Sequence, residues 1–297
     1  MSFKVCILQT EWPNDKVLRH YAKMTSGRKG IWKDMIGVTS INEADYVAVI
    51  DYTTQDIGKK PAVYLGAHPL GMAGYRGFEN APNAIAKYDL RHTFGFGEWW
   101  LEEDYDTLSA LDNPIKTKTL SCILSDKTIN PGHKQRIKFV EGFCAKYSKR
   151  LDLYGRINPK RDSILYDSYR GILGFDRRHL NYAEHFNCGK TSALLPYEYT
   201  LEFDDEWSSR CYFSERVFDD LLLWCMPIYS GGLDIGKFIP ENSIVPFNRG
   251  TTQPEEIIEI IDSGFRDKHI EDIREARHLL LNKYQVWARV YSGIKRS

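Results

Sequence analysis

The sequence lacks the features of several protein classes. No apolar run approaches the roughly 20 residues that span a bilayer. The apolar run at the start of the chain is too short to be the apolar region of a signal peptide. The formal net charge is +0, so no overall field favours nucleic acid or anionic lipid. The six cysteines form no Cys-x-x-Cys pair and have no closely spaced histidine partner, which argues against a zinc site. We therefore expect a cytoplasmic protein with buried, reduced thiols and no integral membrane segment.

The chain contains short apolar runs that alternate with segments compatible with helices. Apolar runs of this kind, bounded by polar or turn residues, are typical of strands buried on both faces. They lie at residues 5–8, 46–50, 61–65, 120–124, 151–154, 197–203 and 226–229. Helices are predicted over about residues 134–147, 215–224, 257–261 and 267–290. The alternation predicts an α/β protein with parallel sheets.

A polar, turn-rich stretch at residues 111–118 separates two halves that each follow this pattern. A chain of 297 residues is long enough for two ordinary cores. We predict an N-terminal domain of residues 1–116 and a C-terminal domain of residues 117–297, which includes the terminal helices. No internal repeat and no low-complexity segment is present.

The densest functional signal lies at residues 197–232, where a strand leads through an acidic, aromatic loop into a helix. Ser214 is a predicted N-cap of that helix, and Arg216 places a planar cation in its first turn. Arg136 lies early in the helix that follows another strand. Ligands of open α/β sheets bind outside the carboxyl ends of the strands. Two cations at that edge can neutralise a diphosphate. The alternative, which is more common for each residue by itself, is that Ser214 only caps the helix and Arg216 is only a solvated charge.

Several short motifs of the second half occur in a recognisable order. They are Ser125, Arg136-Ile137-Lys138-Phe139, Asp152-Leu153-Tyr154-Gly155, Phe203-Asp204-Asp205, Tyr212-Phe213-Ser214-Glu215-Arg216 and Pro227-Ile228-Tyr229-Ser230-Gly231. In order and approximate spacing these motifs resemble the donor-binding region of the α-1,3-fucosyltransferases, glycosyltransferase family ten. The resemblance covers the C-terminal half well and the N-terminal half poorly.

The resemblance implies a GT-B-type fold, in which two Rossmann-like domains face an interdomain cleft. The N-terminal domain of residues 1–116 would bind the acceptor, and the C-terminal domain of residues 117–297 would bind the nucleotide sugar. It also implies inverting, metal-independent sugar transfer that needs no cofactor besides a nucleotide-sugar co-substrate. Arg136 and Arg216 would contact the diphosphate, and Glu215 and the loop at Asp205 would hold ribose or sugar hydroxyls. The full implied donor set is Ser125, Arg136, Tyr154, Asp205, Tyr212, Ser214, Glu215 and Arg216.

Two positions depart from the family pattern, which has lysine in place of Arg216 and asparagine in place of Asp205. The resemblance makes GDP-fucose the leading donor, and these departures make another nucleotide sugar the alternative. A general base must deprotonate the acceptor hydroxyl. The family's glutamate position corresponds to Ala67.

His68, which follows that position, is the predicted replacement base, because an unperturbed histidine titrates at a pKa of about 6.5. Glu79 is the second catalytic candidate, and His92 is a further alternative. A structural role is the more common one for a lone histidine.

Trp99 and Trp100 are predicted to stack on the acceptor, with core packing as the alternative. Residues 204–206, Asp-Asp-Glu, have the composition of a metal-binding cluster, but the resemblance implies no metal. The predicted acceptor is a saccharide. A hydroxylated base in nucleic acid and a non-catalytic nucleotide-sugar-binding protein are the two alternatives. Because eukaryotic relatives are membrane-anchored and no anchor is visible here, we expect a bacterial or viral source.

Overall fold

The structure is a computed structural model in which the strands form two sheets. The residues that it describes are 2–68, 78, 80–157, 159–171, 173, 189–204 and 210–296. Within them each sheet has six strands, and all neighbouring strands are parallel except β2 and β3 of the first sheet. This arrangement confirms the predicted α/β class with two Rossmann-like sheets.

The first sheet has the spatial order β2-β3-β1-β4-β5-β6. Its strands are β1 (Phe3–Leu8), β2 (Ile31–Trp32), β3 (Met35–Val38), β4 (Tyr46–Ile50), β5 (Ala62–Leu65) and β6 (Ala84–Tyr88). The order reverses between β1 and β4, so the carboxyl ends of these two strands border a crevice at that edge of the sheet.

The second sheet has the order β12-β11-β10-β7-β8-β9 and reverses between β7 and β10. Its strands are β7 (Lys118–Ile123), β8 (Asp152–Tyr154), β9 (Tyr169–Gly171), β10 (Tyr197–Phe203), β11 (Met226–Ser230) and β12 (Val245–Pro246). Read along the chain, this is the Rossmann strand order.

The helices lie between and after these strands. The α-helices are α1 (Asn14–Ala22), α2 (Tyr105–Ala110), α3 (Pro131–Tyr147), α4 (Lys190–Leu194), α5 (Glu215–Leu222), α6 (Pro254–Asp262), α7 (Phe265–Lys268), α8 (Ile270–Leu279) and α9 (Val286–Arg296). Short 3-10 turns cover Ser26–Arg28, Ser148–Arg150, Ile235–Lys237 and Glu241–Ser243, and a π-helical turn covers Leu280–Tyr284.

The prediction of one helix over residues 267–290 is wrong. His269 has a non-helical backbone conformation between α7 and α8, and the π-helical turn Leu280–Tyr284 ends at Gln285, which is extended. Apolar residues recur at helical spacing across both breaks, because each piece buries one face. The breaks let the pieces pack on different parts of the molecule, which spacing alone does not reveal.

Helix α9 packs on the first sheet although it ends the chain. A Cβ placed on Gly293 would lie 3.0 Å from Val63 and 3.1 Å from Ala86, so the helix backbone lies close to β5 and β6. The indole N–H of Trp287 donates to the carbonyl of Tyr21 at 2.8 Å. Buried apolar residues of both halves form one contiguous core. The predicted division at residues 116 and 117 remains a prediction.

The described cysteines agree with the expectation of buried thiols. They are Cys6, Cys122, Cys144, Cys211 and Cys225, all buried and free. Cys188 lies outside the described residues. Among the described helices, none has the length and apolar character needed to cross a membrane.

Candidate functional site

A pocket lies at the point where the strand order of the second sheet reverses. It has about 760 Å³ of empty space up to its open mouth. Ligands of open α/β sheets bind at such a switch point. Four of the predicted donor residues line this switch-point pocket together, namely Ser125, Arg136, Glu215 and Arg216.

Local structure holds Arg136 in the pocket. Asn130 caps α3, since its side-chain oxygen accepts a hydrogen bond from the backbone N–H of His133 at 2.8 Å, and Pro131 is the first helical residue. Arg136 follows in the second turn, is only 4% exposed, and donates to Ser125 Oγ at 2.8 Å. The cap and this hydrogen bond fix a guanidinium at the carboxyl end of β7.

Arg216 enters the pocket from the first turn of α5. Its Nη1 donates to the carbonyl of Phe203 at 2.8 Å, and its side chain is 29% exposed. Its Nε lies 3.9 Å from Glu202 Oε1. Burial raises the pKa of Glu202 to about 7, with a partly opposing effect of Arg216. The charge on this carboxyl group therefore changes near neutral pH beside a pocket cation.

Gly155 shapes the wall of the pocket at the end of β8. Its φ of +115° lies in the region that favours glycine, and a Cβ there would lie 2.1 Å from the carbonyl oxygen of Leu124. The position therefore accepts no side chain. The lack of a side chain at Gly155 lets the ends of β7 and β8 approach each other at the pocket.

Three cationic side chains of the pocket were not identified from the sequence. They are Lys127, Arg156 and Lys190. Lys127 is exposed, whereas the side chain of Lys190 is 12% exposed and its Nζ lies 2.6 Å from Asp219 Oδ2. Arg156 directly follows Gly155 of a quoted motif, which was the available signal. Lys190 lies in no motif, and only the fold brings it to the pocket.

Ser214 occupies the predicted N-cap position of α5, but its side chain makes no capping hydrogen bond. Its hydroxyl donates instead to Asp204 Oδ1, and the hydroxyl of Tyr229 donates to Asp204 Oδ2. Burial raises the pKa of Asp204. Both carboxylate oxygens of Asp204 are thus engaged by hydroxyl groups of the second half.

Among the described residues no group of three or more histidine, cysteine or acidic side chains could hold a metal ion.

Two predicted donor residues have other positions. The hydroxyl of Tyr154 lies 2.7 Å from that of Tyr197, at the start of β10, so its phenol points away from the switch-point pocket. Tyr154 is not among the described residues that line that pocket, and its donor-binding role remains a prediction. Tyr212 lines a different cavity, described next. Asp205 lies outside the described residues.

A cavity of about 370 Å³ lies between the two halves. The first half contributes Ala67 and Glu98 to this interdomain cavity, and the second half contributes Tyr212, Ser214 and Glu215. Glu215 lines both cavities, so the two are adjacent. A group at the interdomain cavity therefore lies next to the pocket that holds the cations.

His68 follows β5 at the carboxyl edge of the first sheet, directly after Ala67. Its Nδ1–H donates to Asp51 Oδ2, and its side chain is 39% exposed. The hydrogen bond to Asp51 is the main reason that the pKa of His68 is raised, against the opposing effect of burial. Glu79 lies outside the described residues. His92 is exposed. Neither His68 nor His92 is among the described residues that line the interdomain cavity, although Ala67, the neighbour of His68, does line it.

Glu98 is an acidic residue of the interdomain cavity that sequence reasoning missed. Its Oε1 accepts a hydrogen bond from His20 Nε2 at 2.8 Å. Burial alone would raise the pKa of Glu98, but the hydrogen bond and charge of His20, with Lys23, lower it. Its position within the aromatic segment around Trp99 was the available signal.

The two predicted acceptor-stacking residues differ in exposure. Trp99 is 1% exposed, and its indole N–H donates to the carbonyl of Glu103 at 3.0 Å. Trp99 therefore packs in the core and presents no ring face to a ligand. Trp100 is partly exposed, with its ring centroid 5.3 Å from that of His20 and 6.1 Å from that of Trp12.

Comparisons with known proteins match no family model and no curated protein. Among solved structures, an alpha1,3-fucosyltransferase with GDP-fucose matches 99% of this chain and 90% of that chain, at 16% identity and a TM-score of 0.43. The DNA-modifying enzyme beta-glucosyltransferase, whose substrate is uridine diphosphoglucose, matches 100% of this chain and 98% of that chain, at 11% identity and a TM-score of 0.47. At these values the similarity assigns neither a family nor a substrate.

Proposed function

We propose that the protein is a glycosyltransferase that moves a sugar from a nucleotide-sugar donor to an acceptor hydroxyl. The observation that carries the proposal is that Arg136 and Arg216 lie together in one pocket at the switch point of a Rossmann-ordered sheet. A diphosphate carries the opposite charge and is well matched by guanidinium groups. GDP-fucose is the donor that we test first, because of the motif resemblance.

His68 is the proposed base on the facing half. Its Nδ1 is occupied by Asp51, so Nε2 is the nitrogen that accepts the proton of the acceptor hydroxyl. The hydroxyl oxygen forms a bond to the anomeric carbon as the bond from that carbon to the diphosphate oxygen breaks. The nucleoside diphosphate leaves with the electron pair of the broken bond, and the configuration at the anomeric carbon is inverted. Glu98 is the competing base, because it lines the interdomain cavity.

The cations of the pocket stabilise the negative charge that develops on the departing diphosphate. We therefore propose that transfer requires no divalent ion. Activity that survives EDTA supports this assignment. Activity that stops on chelation and returns with manganese would refute it.

The buried free thiols are typical of a reducing compartment. We accordingly propose that the protein works in the cytoplasm. The proposed acceptor is a saccharide.

The first experiment is a thermal-shift and calorimetric screen of GDP, UDP, ADP and CDP and their sugars. A ligand that binds only the folded state raises the melting temperature. We expect at least one nucleoside diphosphate to bind, with its sugar conjugate. If none binds at millimolar concentration, the proposal fails.

Transfer is then measured with the donor that binds. The acceptor panel contains oligosaccharides and DNA with hydroxymethylated bases, because both present a hydroxyl group. Slow hydrolysis of the donor without acceptor indicates a catalyst. A donor that binds but is neither hydrolysed nor transferred identifies a non-catalytic binding protein and refutes the enzymatic proposal.

A further inference from the structure

Lys190 lies where the switch-point pocket meets the contact between the two halves. Its Nζ donates to Asp219 Oδ2 at 2.6 Å and lies 3.9 Å from Glu215 Oε1. The other carboxylate oxygen, Asp219 Oδ1, accepts a hydrogen bond from the backbone N–H of Trp100 at 2.8 Å. Asp219 is thus held from the first half independently of Lys190.

The charges on this pair are buried. The side chain of Asp219 is 1% exposed and that of Lys190 is 12% exposed. Burial alone would lower the pKa of Lys190, but the carboxylates of Asp219 and Glu215 outweigh it, so the pKa is raised and the amine is charged. Burial raises the pKa of Asp219 to about 6. Near neutral pH the pair is therefore an ion pair beside the pocket.

An ammonium group has three donors, and Asp219 uses one of them. Lys190 also lines the pocket together with Arg136 and Arg216. A phosphate group in this pocket would therefore share Lys190 with the carboxylate of Asp219. The two anions would compete for one cation.

Resting on the function proposed above, we infer that Lys190 is a third cation that binds the donor diphosphate, and that Asp219 weakens this binding by competing for Lys190. Lys190 then belongs to the binding machinery, and Asp219 tunes it. The inference gives the two partners of one ion pair opposite effects on nucleotide affinity. A purely structural ion pair would give both the same effect.

The test is calorimetric titration of GDP and UDP at pH 8, where Asp219 is ionised. Lys190→Gln is expected to weaken the affinity for the nucleoside diphosphate at least tenfold. Asp219→Asn keeps an oxygen for the N–H of Trp100, removes the competing charge, and is expected to tighten binding about three- to tenfold. The double variant, which leaves neither charge buried, is expected to bind as weakly as Lys190→Gln. Lys134→Gln, an exposed site on α3, is the matched control and should bind as the parent does.

A pH series gives a second readout. Below pH 6 the carboxyl group of Asp219 becomes protonated in the parent protein, so the advantage of Asp219→Asn should disappear there. Comparison of the two proteins at each pH cancels the titration of the nucleotide. Lys23, Glu215 and Asp220 also interact electrostatically with Asp219 and are unchanged in both proteins.

The outcomes separate this inference from the proposed function. If the parent protein binds no nucleotide, both fall. If the parent binds and a folded Lys190→Gln or double variant binds equally well, Lys190 is not a ligand. If Asp219→Asn weakens binding as much as Lys190→Gln does, the pair is only a support for the fold and the inference is overturned.

Discussion

Asp51 holds His68 through both of its carboxylate oxygens. Oδ2 accepts from the imidazole Nδ1–H, and Oδ1 accepts from the backbone N–H groups of Ala67 at 2.7 Å and His68 at 3.2 Å. Asp51 is 3% exposed and directly follows β4, whereas His68 follows the neighbouring strand β5. The imidazole is therefore fixed in direction at the carboxyl edge of the first sheet.

His68→Ala is expected to lower turnover by about 100- to 10,000-fold, which is the usual contribution of a positioned base. Donor affinity should change by less than about twofold, because the donor site lies in the other half. Steady-state kinetics and calorimetry measure the two quantities. Glu98→Gln is the comparison. If Glu98→Gln abolishes turnover and His68→Ala does not, the base is Glu98.

Asp51→Asn is expected to lower the pKa of His68, because the hydrogen bond to Asp51 is the main cause of the raised value. The acid limb of the kcat/KM profile should then move to lower pH. The raised pKa also stabilises the folded protein below about pH 6.5, and this stabilisation is lost as pH rises through the folded pKa. Asp51→Asn should therefore cost more stability at pH 6 than at pH 9.

The histidine titration in this variant can be followed by NMR and its stability by chemical denaturation. Equal destabilisation at both pH values, together with an unshifted acid limb, would show that Asp51 does not control the charge of His68.

Arg216→Ala is expected to weaken nucleoside diphosphate binding at least tenfold, since a charge-assisted hydrogen bond contributes about 1.5 to 3 kcal/mol. Calorimetric titration measures the change. Arg19→Ala is the matched control, because Arg19 is exposed on α1 and forms a surface ion pair with Asp15. Unchanged affinity in a folded Arg216→Ala protein would remove the main support for the site.

Glu202→Gln is expected to flatten the pH dependence of nucleotide affinity. Burial raises the pKa of Glu202 to about 7, so in the parent protein its negative charge appears beside Arg216 as pH rises from 6 to 8. That charge offsets Arg216 and repels the diphosphate, so parent affinity should fall across this interval relative to Glu202→Gln. Calorimetry at matched pH values measures the ratio.

The same carboxyl group also affects stability. Glu202 ionises near its ordinary pKa when unfolded and near 7 when folded, so the folded state holds more protons between these values. The free energy of unfolding should therefore decrease as pH rises through this window in the parent protein, and less so in Glu202→Gln. A constant affinity ratio and parallel stability curves would contradict the assignment.

Seven of the twelve described strands could be predicted, because most buried parallel strands are continuous apolar runs. The other five, β2, β3, β6, β9 and β12, were not predicted, since each is short or only partly buried. The predictions for β4 and β10 match the observed bounds at Tyr46–Ile50 and Tyr197–Phe203. The order of motifs also placed Arg136 and Arg216 in one site, since residues at the carboxyl ends of parallel strands share one edge.

The side-chain partners were decided by the tertiary structure alone. Lys190 reaches Asp219, 29 residues away, and Asp219 reaches Trp100, 119 residues away. The ring of Tyr154 points to Tyr197 instead of the pocket, and Trp99 packs in the core. Local spacing reports which face of an element is buried, but it carries no information on which distant element covers that face. Thus the sequence by itself determined the central strands of the two sheets and the positions of Arg136 and Arg216, because apolar runs and their flanking residues are local features. Long-range packing decided which charges meet and brought Lys190 to the pocket.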